Sequence, residues 1–215
     1  HRSKMNGLST SAKWSLNLEK QLTTWLKLKR YIYLISPQKI KEAIFYKELN
    51  NVLKSKKVKY FQLRLKKIST SNLIKIAKKI KKITKKNNVK LIINDKPFVA
   101  KTIGADGCHI GQKDMDFFSA KKILGKNKII GVTCHNSKKL ALKANRQGAS
   151  YVAFGSFFKS HTKKTTFRAN LQLLRWAKKK INMPTVAIGG IKSSNYKKIL
   201  RSGAKFIAFS NYVWN

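Results

Sequence analysis

The chain has 215 residues and a formal charge of +42, from 49 lysines and arginines against seven aspartates and glutamates, with 42% hydrophobic residues. Length and hydrophobic share fit one folded domain with a sizeable core and exclude a disordered chain. No run approaches the roughly 18 apolar residues of a membrane span, and no secretory leader pattern is seen near His1 or Met5.

The charge would draw nucleic acid, anionic lipid and phosphorylated metabolites alike. The lysines are spread along the whole chain beside many Asn and Ile, so compositional drift accounts for most of them and no specific nucleic-acid site is expected. The acids are more informative. Four of the seven, Asp95, Asp106, Asp114 and Asp116, fall between positions 95 and 116, and none follows Phe117. Paired-carboxylate chemistry therefore has few candidates. Cys108 and Cys134 are far apart, form no disulfide framework and fit a cytoplasmic protein, with packing as their expected role.

In chain order, residues 1–30 read as a basic, partly helical extension, whose Leu16, Leu22 and Trp25 could pack on the outside of the domain at 31–215. Eight short β-branched or aromatic runs follow: Tyr31–Ile35, Tyr60–Arg64, Leu91–Asn94, Gly107–Ile110, Ile129–Thr133, Tyr151–Phe154, Thr185–Ile188 and Phe206–Phe209. Lys-rich segments of helical period separate them. Ser69 caps one helix, with Leu73, Ile76, Ile80 and Ile83 on a single face; Ser137 starts another, and Ser193 or Ser194 a third. Strands alternating with helices imply a parallel sheet, and the short buried strands favour a closed (β/α)₈ TIM barrel. A doubly wound sheet is the alternative, without a glycine-rich loop after its first strand. The chain stops six residues after the eighth strand, so the last helix is expected to be missing unless the extension fills its place.

In a barrel the C-terminal strand ends face the active site. Those ends hold Gln62 and Arg64, Asn94 and Asp95, His109 to Asp114, Thr133 and His135, the loop 155–164, Gly189-Gly190 and Ser210. Arg64 and Lys66, two apart, can lean together toward a phosphate. Asp95 and Asp114 are candidate ligands for Mg²⁺ carried with a diphosphate, or else helix caps. Asp106 reads as structural and Asp116 as an N-cap. Ser160-His161-Thr162-Lys163-Lys164 is a hydroxyl-and-lysine loop suited to phosphate oxygens, or a solvated basic loop. Gly189-Gly190 lets backbone N–H groups approach a phosphate closely, although a plain tight turn has the same sequence. His109 and His135 suit a hydrogen-bonded core role at least as well as catalysis.

Taken together, the segments Gln62–Lys66, Ile93–Asp95, Gly104–Asp114, Ile130–His135, Phe154 through Lys163 and Val186–Ile191 resemble thiamine phosphate synthases, in family order over roughly residues 31–212. The resemblance implies a transferase that condenses a pyrimidine diphosphate with a thiazole phosphate and releases pyrophosphate. It implies Mg²⁺ on Asp95 and Asp114, and diphosphate contacts from Arg64, Lys66, Asn94 and Lys163, of which Arg64, Lys66 and Lys163 are catalytic. It places Thr133 near the substrates, Gln62 at the pyrimidine, and Ser160, Thr162, Gly190 and Ser210 at the thiazole phosphate. Leu65 stands where many members have Glu, and Thr133 where Ser is common. Small phosphorylated substrates are the expected partners, without a membrane or specific nucleic acid, and a homo-oligomer is compatible with the sequence. The alternative is a thiazole tautomerase-like relative using His135 as acid/base; a polyanion-binding barrel is a third reading.

Overall fold

A computed structural model describes residues 31–159 and 166–214. The expected extension over residues 1–30 lies outside them. Eight parallel strands close into a barrel in sequence order, with the first pairing the last. They are β1 (Ile32–Ile35), β2 (Val58–Leu63), β3 (Lys90–Asn94), β4 (Gly107–Ile110), β5 (Ile129–His135), β6 (Tyr151–Gly155), β7 (Thr185–Ile188) and β8 (Phe206–Phe209). Each expected run forms its strand, and the doubly wound alternative is excluded by the closure. The helices are α1 (Glu42–Leu53), α2 (Thr70–Lys86), α3 (Pro97–Thr102), α4 (Phe117–Leu124), α5 (Lys138–Gln147), α6 (Leu171–Lys180), α7 (Tyr196–Arg201) and α8 (Asn211–Trp214).

Side chains alternate across each strand, which divides the interior into two cores. One parity faces the helices: Ile32 and Leu34, Phe61 and Leu63, Leu91 and Ile93, Cys108 and Ile110, Val152 and Phe154 all belong to one buried cluster with the helix faces. The other parity fills the barrel with Tyr33 and Ile35, Tyr151 and Ala153, Val186, Phe206 and Ala208, against which Tyr60, Ile129 and Ile188 pack. Tyr33, Tyr60, Tyr151 and Phe206 form an aromatic layer, with neighbouring ring centroids 5.1–5.7 Å apart.

Most longer helices start on neutral side-chain caps. Ser69 accepts from the Asn72 amide at 3.3 Å, Ser137 from Leu140 at 3.2 Å and Asn170 from Leu173 at 2.9 Å; the first turns of these helices carry no acid. Asp116 caps α4 as expected, accepting from Phe118 and Ser119. On α2, Leu73, Ile76 and Ile80 are buried, with Ala77 and Thr84, whereas Ile83 is half-buried. The residue preceding α7 is Asn195 rather than Ser193 or Ser194. Asn195 accepts from the Lys192 amide at 2.8 Å and donates to the Gly190 carbonyl at 3.0 Å, bracing the turn after β7.

The eighth helical position holds the single turn α8. Its Val213 is fully buried, and Trp214 donates from Nε1 to the Ile35 carbonyl at 2.6 Å while packing near the rings of Phe45 and Phe61. The last helix, expected to be missing, is thus present as one short turn, and Trp214 packs over the seam between α1 and β2.

Gly131 carries the tightest fit inside the barrel: a Cβ there would meet the Tyr151 ring at 1.9 Å. Gly131→Ala is expected to destabilise the fold by about 1–3 kcal/mol through overpacking. Urea unfolding of the wild type and variant checks this, and an unchanged midpoint would show that Tyr151 has room to move.

Candidate active site

Inward parity carries Gln62 above Tyr60, and Gly131 and Thr133 above Ile129, up the barrel to its C-terminal mouth. Gln62 is buried and Thr133 half-buried. Beyond β2, Leu65 turns into the helix-facing core while Lys66 stays exposed. The leucine is consistent with this packing. Arg64 is half-buried; its backbone amide donates to Ser36 Oγ at 2.9 Å, and the Ser36 amide donates to the Gln62 carbonyl at 2.9 Å. Ser36, buried at the end of β1, therefore fixes the turn that presents Arg64.

Asp95 follows β3 with a left-handed φ of 61°, a conformation Asp adopts more readily than most residues. Its amide donates to the His109 carbonyl at 2.8 Å, tying the turn to β4. Lys66 Nζ lies 3.6 Å from Asp95 Oδ2, and Asn94 hydrogen-bonds the same carboxyl. Burial raises the pKa of Asp95, and the neighbouring Asp114 carboxyl raises it further; Lys66 and Asn94 oppose this. Asp114 accepts at Oδ2 from the Gly111 amide at 2.8 Å. Neither acid caps a helix: α3 begins after Lys96, and α4 is capped by Asp116. Asp106 is structural as expected, accepting from the Leu91 amide at 2.9 Å and from Lys90 Nζ at 2.9 Å.

His109 is buried inside the barrel. Its Nδ1 lies 3.0 Å from the Tyr151 hydroxyl and its Nε2 2.8 Å from Thr133 Oγ1. Burial pushes its pKa down to about 4, with Asp114 opposing and Arg64 reinforcing, so the ring is neutral at physiological pH. Gln112 Nε2 donates to the Thr133 carbonyl. His135, with a φ of 51°, stacks its ring 4.1 Å from that of Phe167.

Gly189 and Gly190 have φ of 103° and 62°. A Cβ on Gly190 would stand 2.4 Å from the Lys159 carbonyl oxygen, and one on Gly189 2.1 Å from Ser156 Oγ. The pair is therefore required for the segment after β6 to lie against the turn after β7, where Phe157 and Phe158 donate to the Ile188 and Gly189 carbonyls. Ser210 follows β8, half-buried, and its carbonyl accepts from the Val213 amide at 3.1 Å. Ser160, Thr162 and Lys163 lie outside the described residues.

The structure thus brings Asp95, Asp114, Asn94 and Lys66 together and sets Arg64 within electrostatic reach of His109. Sequence reading missed Ser36, Tyr33 and Tyr151. The inward parity of Tyr33 and Tyr151, set by strand alternation, was the available signal. Cys108 and Cys134 are on the helix-facing parity, fully buried, and burial pushes each thiol up to about 12.

The fold and its polar mouth define a (β/α)₈ barrel of the kind that carries its active site at the C-terminal strand ends. Residues 32–213 match the profile described as Thiamine monophosphate synthase, and the chain belongs to that family. It is 57% identical over 187 residues to the thiamine-phosphate synthase of Pelagibacter ubique, spanning 87% of this chain and 90% of that protein. Identity to the thiamine-phosphate synthase of Rhodospirillum centenum is 36% over 184 residues, 86% of this chain and 89% of the relative. The solved structure of thiamine phosphate pyrophosphorylase from Pyrococcus furiosus superposes with a TM-score of 0.74 at 29% identity, covering 91% of this chain and 88% of that one.

Two outcomes follow from the electrostatics. Asp114→Asn should lower the titration midpoint of Asp95, because a like charge that disfavours its ionisation is removed. Carboxyl-carbon NMR reads this, and an unmoved midpoint would uncouple the two acids. Native protein should resist thiol-specific reagents at mild alkaline pH and react at both cysteines only after unfolding; rapid labelling of the folded chain would contradict the burial.

Proposed function

We propose that this chain is a thiamine phosphate synthase, joining 4-amino-2-methyl-5-hydroxymethylpyrimidine diphosphate to hydroxyethylthiazole phosphate. The observation that carries the reading is the pairing of Asp95 with Asp114 beside Lys66 and Asn94 at the barrel mouth, in a chain whose relatives bear that name over most of their length. In the reaction the C–O bond at the pyrimidine methylene breaks, pyrophosphate leaves with the electron pair, and the thiazole nitrogen lone pair forms the new C–N bond.

Asp95 and Asp114 fit a hard divalent cation. Asp114 disfavours the ionisation of Asp95, and a cation held by these carboxyls would offset that effect. Mg²⁺ is commonly held by one or two carboxylates together with substrate phosphates, and Asp95 and Asp114 would be those carboxylates here. When bound, Mg²⁺ would supply electrostatic stabilisation to the charge growing on the diphosphate. In this reading Lys66 would share that load, Arg64 and Asn94 would hold diphosphate oxygens, and Gln62 would meet the pyrimidine. Gly190 and Ser210 would border the thiazole phosphate together with Ser160, Thr162 and Lys163. No general base is required, in keeping with the scarcity of carboxylates.

The tautomerase alternative would use His135; its ring is stacked on Phe167, and no observation favours that chemistry over transfer. The reading extends to a cytoplasmic location, supported by two buried, unpaired thiols, with small phosphorylated molecules as partners. Among the described residues no helix is long and apolar enough to cross a membrane.

Purified protein given both substrates and Mg²⁺ should release thiamine phosphate and pyrophosphate in equal amounts; no product from folded protein would overturn the assignment. Asp95→Ala and Asp114→Ala should each lower turnover by orders of magnitude and blunt its Mg²⁺ dependence. Arg64→Ala should cost about 10²–10³ in kcat if the group meets the developing charge, while the exposed control Lys179→Ala should not. Equal, small losses in Arg64→Ala and Lys179→Ala would mean that the overall field, not a placed site, holds the diphosphate.

A further inference from the structure

Five side chains from five strands form one hydrogen-bonded line across the barrel interior. Gln62 Nε2 is 2.8 Å from the Tyr33 hydroxyl, which is 2.7 Å from the Tyr151 hydroxyl. The Tyr151 hydroxyl is 3.0 Å from His109 Nδ1, and His109 Nε2 is 2.8 Å from Thr133 Oγ1. The middle three are buried, while Thr133, at the mouth, is half-buried. Gly131 leaves the space that Tyr151 needs to reach both neighbours.

Such a line has a direction. A hydroxyl has one hydrogen to give, and a neutral imidazole donates at one nitrogen and accepts at the other. With the Gln62 amide donating to Tyr33, the Tyr33 hydrogen goes to Tyr151 and the Tyr151 hydrogen to His109 Nδ1. His109 then carries its proton on Nε2 and donates to Thr133. The Thr133 oxygen is thereby an acceptor toward the interior, and its own hydrogen is left for the mouth. In the opposite direction Tyr33 would receive two hydrogens, and its own buried hydrogen would find no acceptor along the line, which costs a hydrogen bond.

We propose that Tyr33, Tyr151 and His109 are positioning residues whose one-way hydrogen-bond line, set by Gln62, holds the Thr133 hydroxyl as a donor toward substrate. The use of that donor rests on the synthase reading: the oxygens of the departing diphosphate gain charge during reaction, and a fixed hydrogen-bond donor strengthens as they do. The threonine hydroxyl is otherwise free to rotate and to present lone pairs instead. The line also joins two ends of the site, so that the Gln62 amide, through three residues, decides the donor character of Thr133.

The test reads the His109 tautomer in ¹⁵N-labelled, substrate-free protein by long-range ¹H–¹⁵N correlation, with the signal assigned by its loss in His109→Asn. Nε2-protonated, neutral imidazole is expected. Gln62→Glu, ionised at mild alkaline pH, can only accept from Tyr33 and should reverse the line, moving the proton to Nδ1. A merely structural role for these residues gives no reason for that switch. In single-turnover assays Thr133→Ser should retain activity, whereas Thr133→Val should lower kcat about tenfold, the effect of one lost hydrogen bond. Tyr151→Phe should lower kcat in the wild-type background but add little to Thr133→Val, because both remove the same donor. Nδ1-protonated or charged His109 in the wild type would overturn the proposed direction, and full additivity of Tyr151→Phe with Thr133→Val would overturn the coupling. The tautomer is read without substrates, so a wrong tautomer sinks the line and leaves the synthase reading standing, whereas absent turnover sinks that reading, and with it the use of the donor, but leaves the direction of the line standing.

Discussion

The strict alternation of side chains along a parallel strand governs this molecule. Once eight such strands close, every second residue must enter a narrow interior and every other one must meet a helix. The interior is too small for eight large side chains at one level. Tyr33, Tyr60, Tyr151 and Phe206 fill one layer while Gly131 stands back. Above that layer the same parity delivers Gln62, His109 and Thr133, and their polar atoms are satisfied by each other and by the two tyrosine hydroxyls. Core and site are thus consecutive storeys of one arrangement, and a change in the aromatic layer is felt at the mouth.

Much of this was legible in the sequence. The eight short runs were visible because β-branched and aromatic clusters alternate with lysine-rich segments, and Ser69, Asp116 and Ser137 announced their helices through hydroxyl or carboxyl caps. Asn195 was harder to see because it braces the preceding turn rather than accepting from the amides of its own helix. Leu65 showed only as a departure from a familiar pattern; the structure supplies its reason in burial. Asp95 and Asp114 could be paired as candidate ligands from the sequence, but the geometry that brings them together could not be read there. It depends on a left-handed turn at Asp95 and on the register between β3 and β4, and neither is written in composition or spacing. The tyrosines in the interior line were similarly hidden, since a buried hydroxyl leaves no mark of its partner in the sequence. Gly189-Gly190 was legible as a tight spot, yet the neighbour that makes it tight is the backbone at Lys159.

The acids repay comparison with one another. Glu42 and Asp106 meet lysines, Asp116 meets backbone amides, and all three are accounted for by local structure. Asp95 differs: its cationic neighbour Lys66 stands at 3.6 Å and is largely exposed, while a second carboxyl presses on it from the other side. In a chain with so many cations, holding two acids together against their mutual repulsion is costly to the fold, and such costs concentrate at functional positions.

The neutral caps of the longer helices have a consequence beyond the helices themselves. In a parallel barrel each helix runs back from the mouth, so its N-terminus, the positive end of its dipole, points toward the same rim as the strand ends. Ser69, Ser137 and Asn170 satisfy the exposed amides without adding negative charge. The dipoles therefore reinforce the side-chain cations instead of being cancelled at the rim, and the low-dielectric barrel beneath concentrates the field in the opening. For the proposed reaction the mouth would act as an electrostatic lens: multiply charged phosphate esters would be gathered toward it from solution, and capture would be more sensitive to ionic strength than the bond-breaking step that follows.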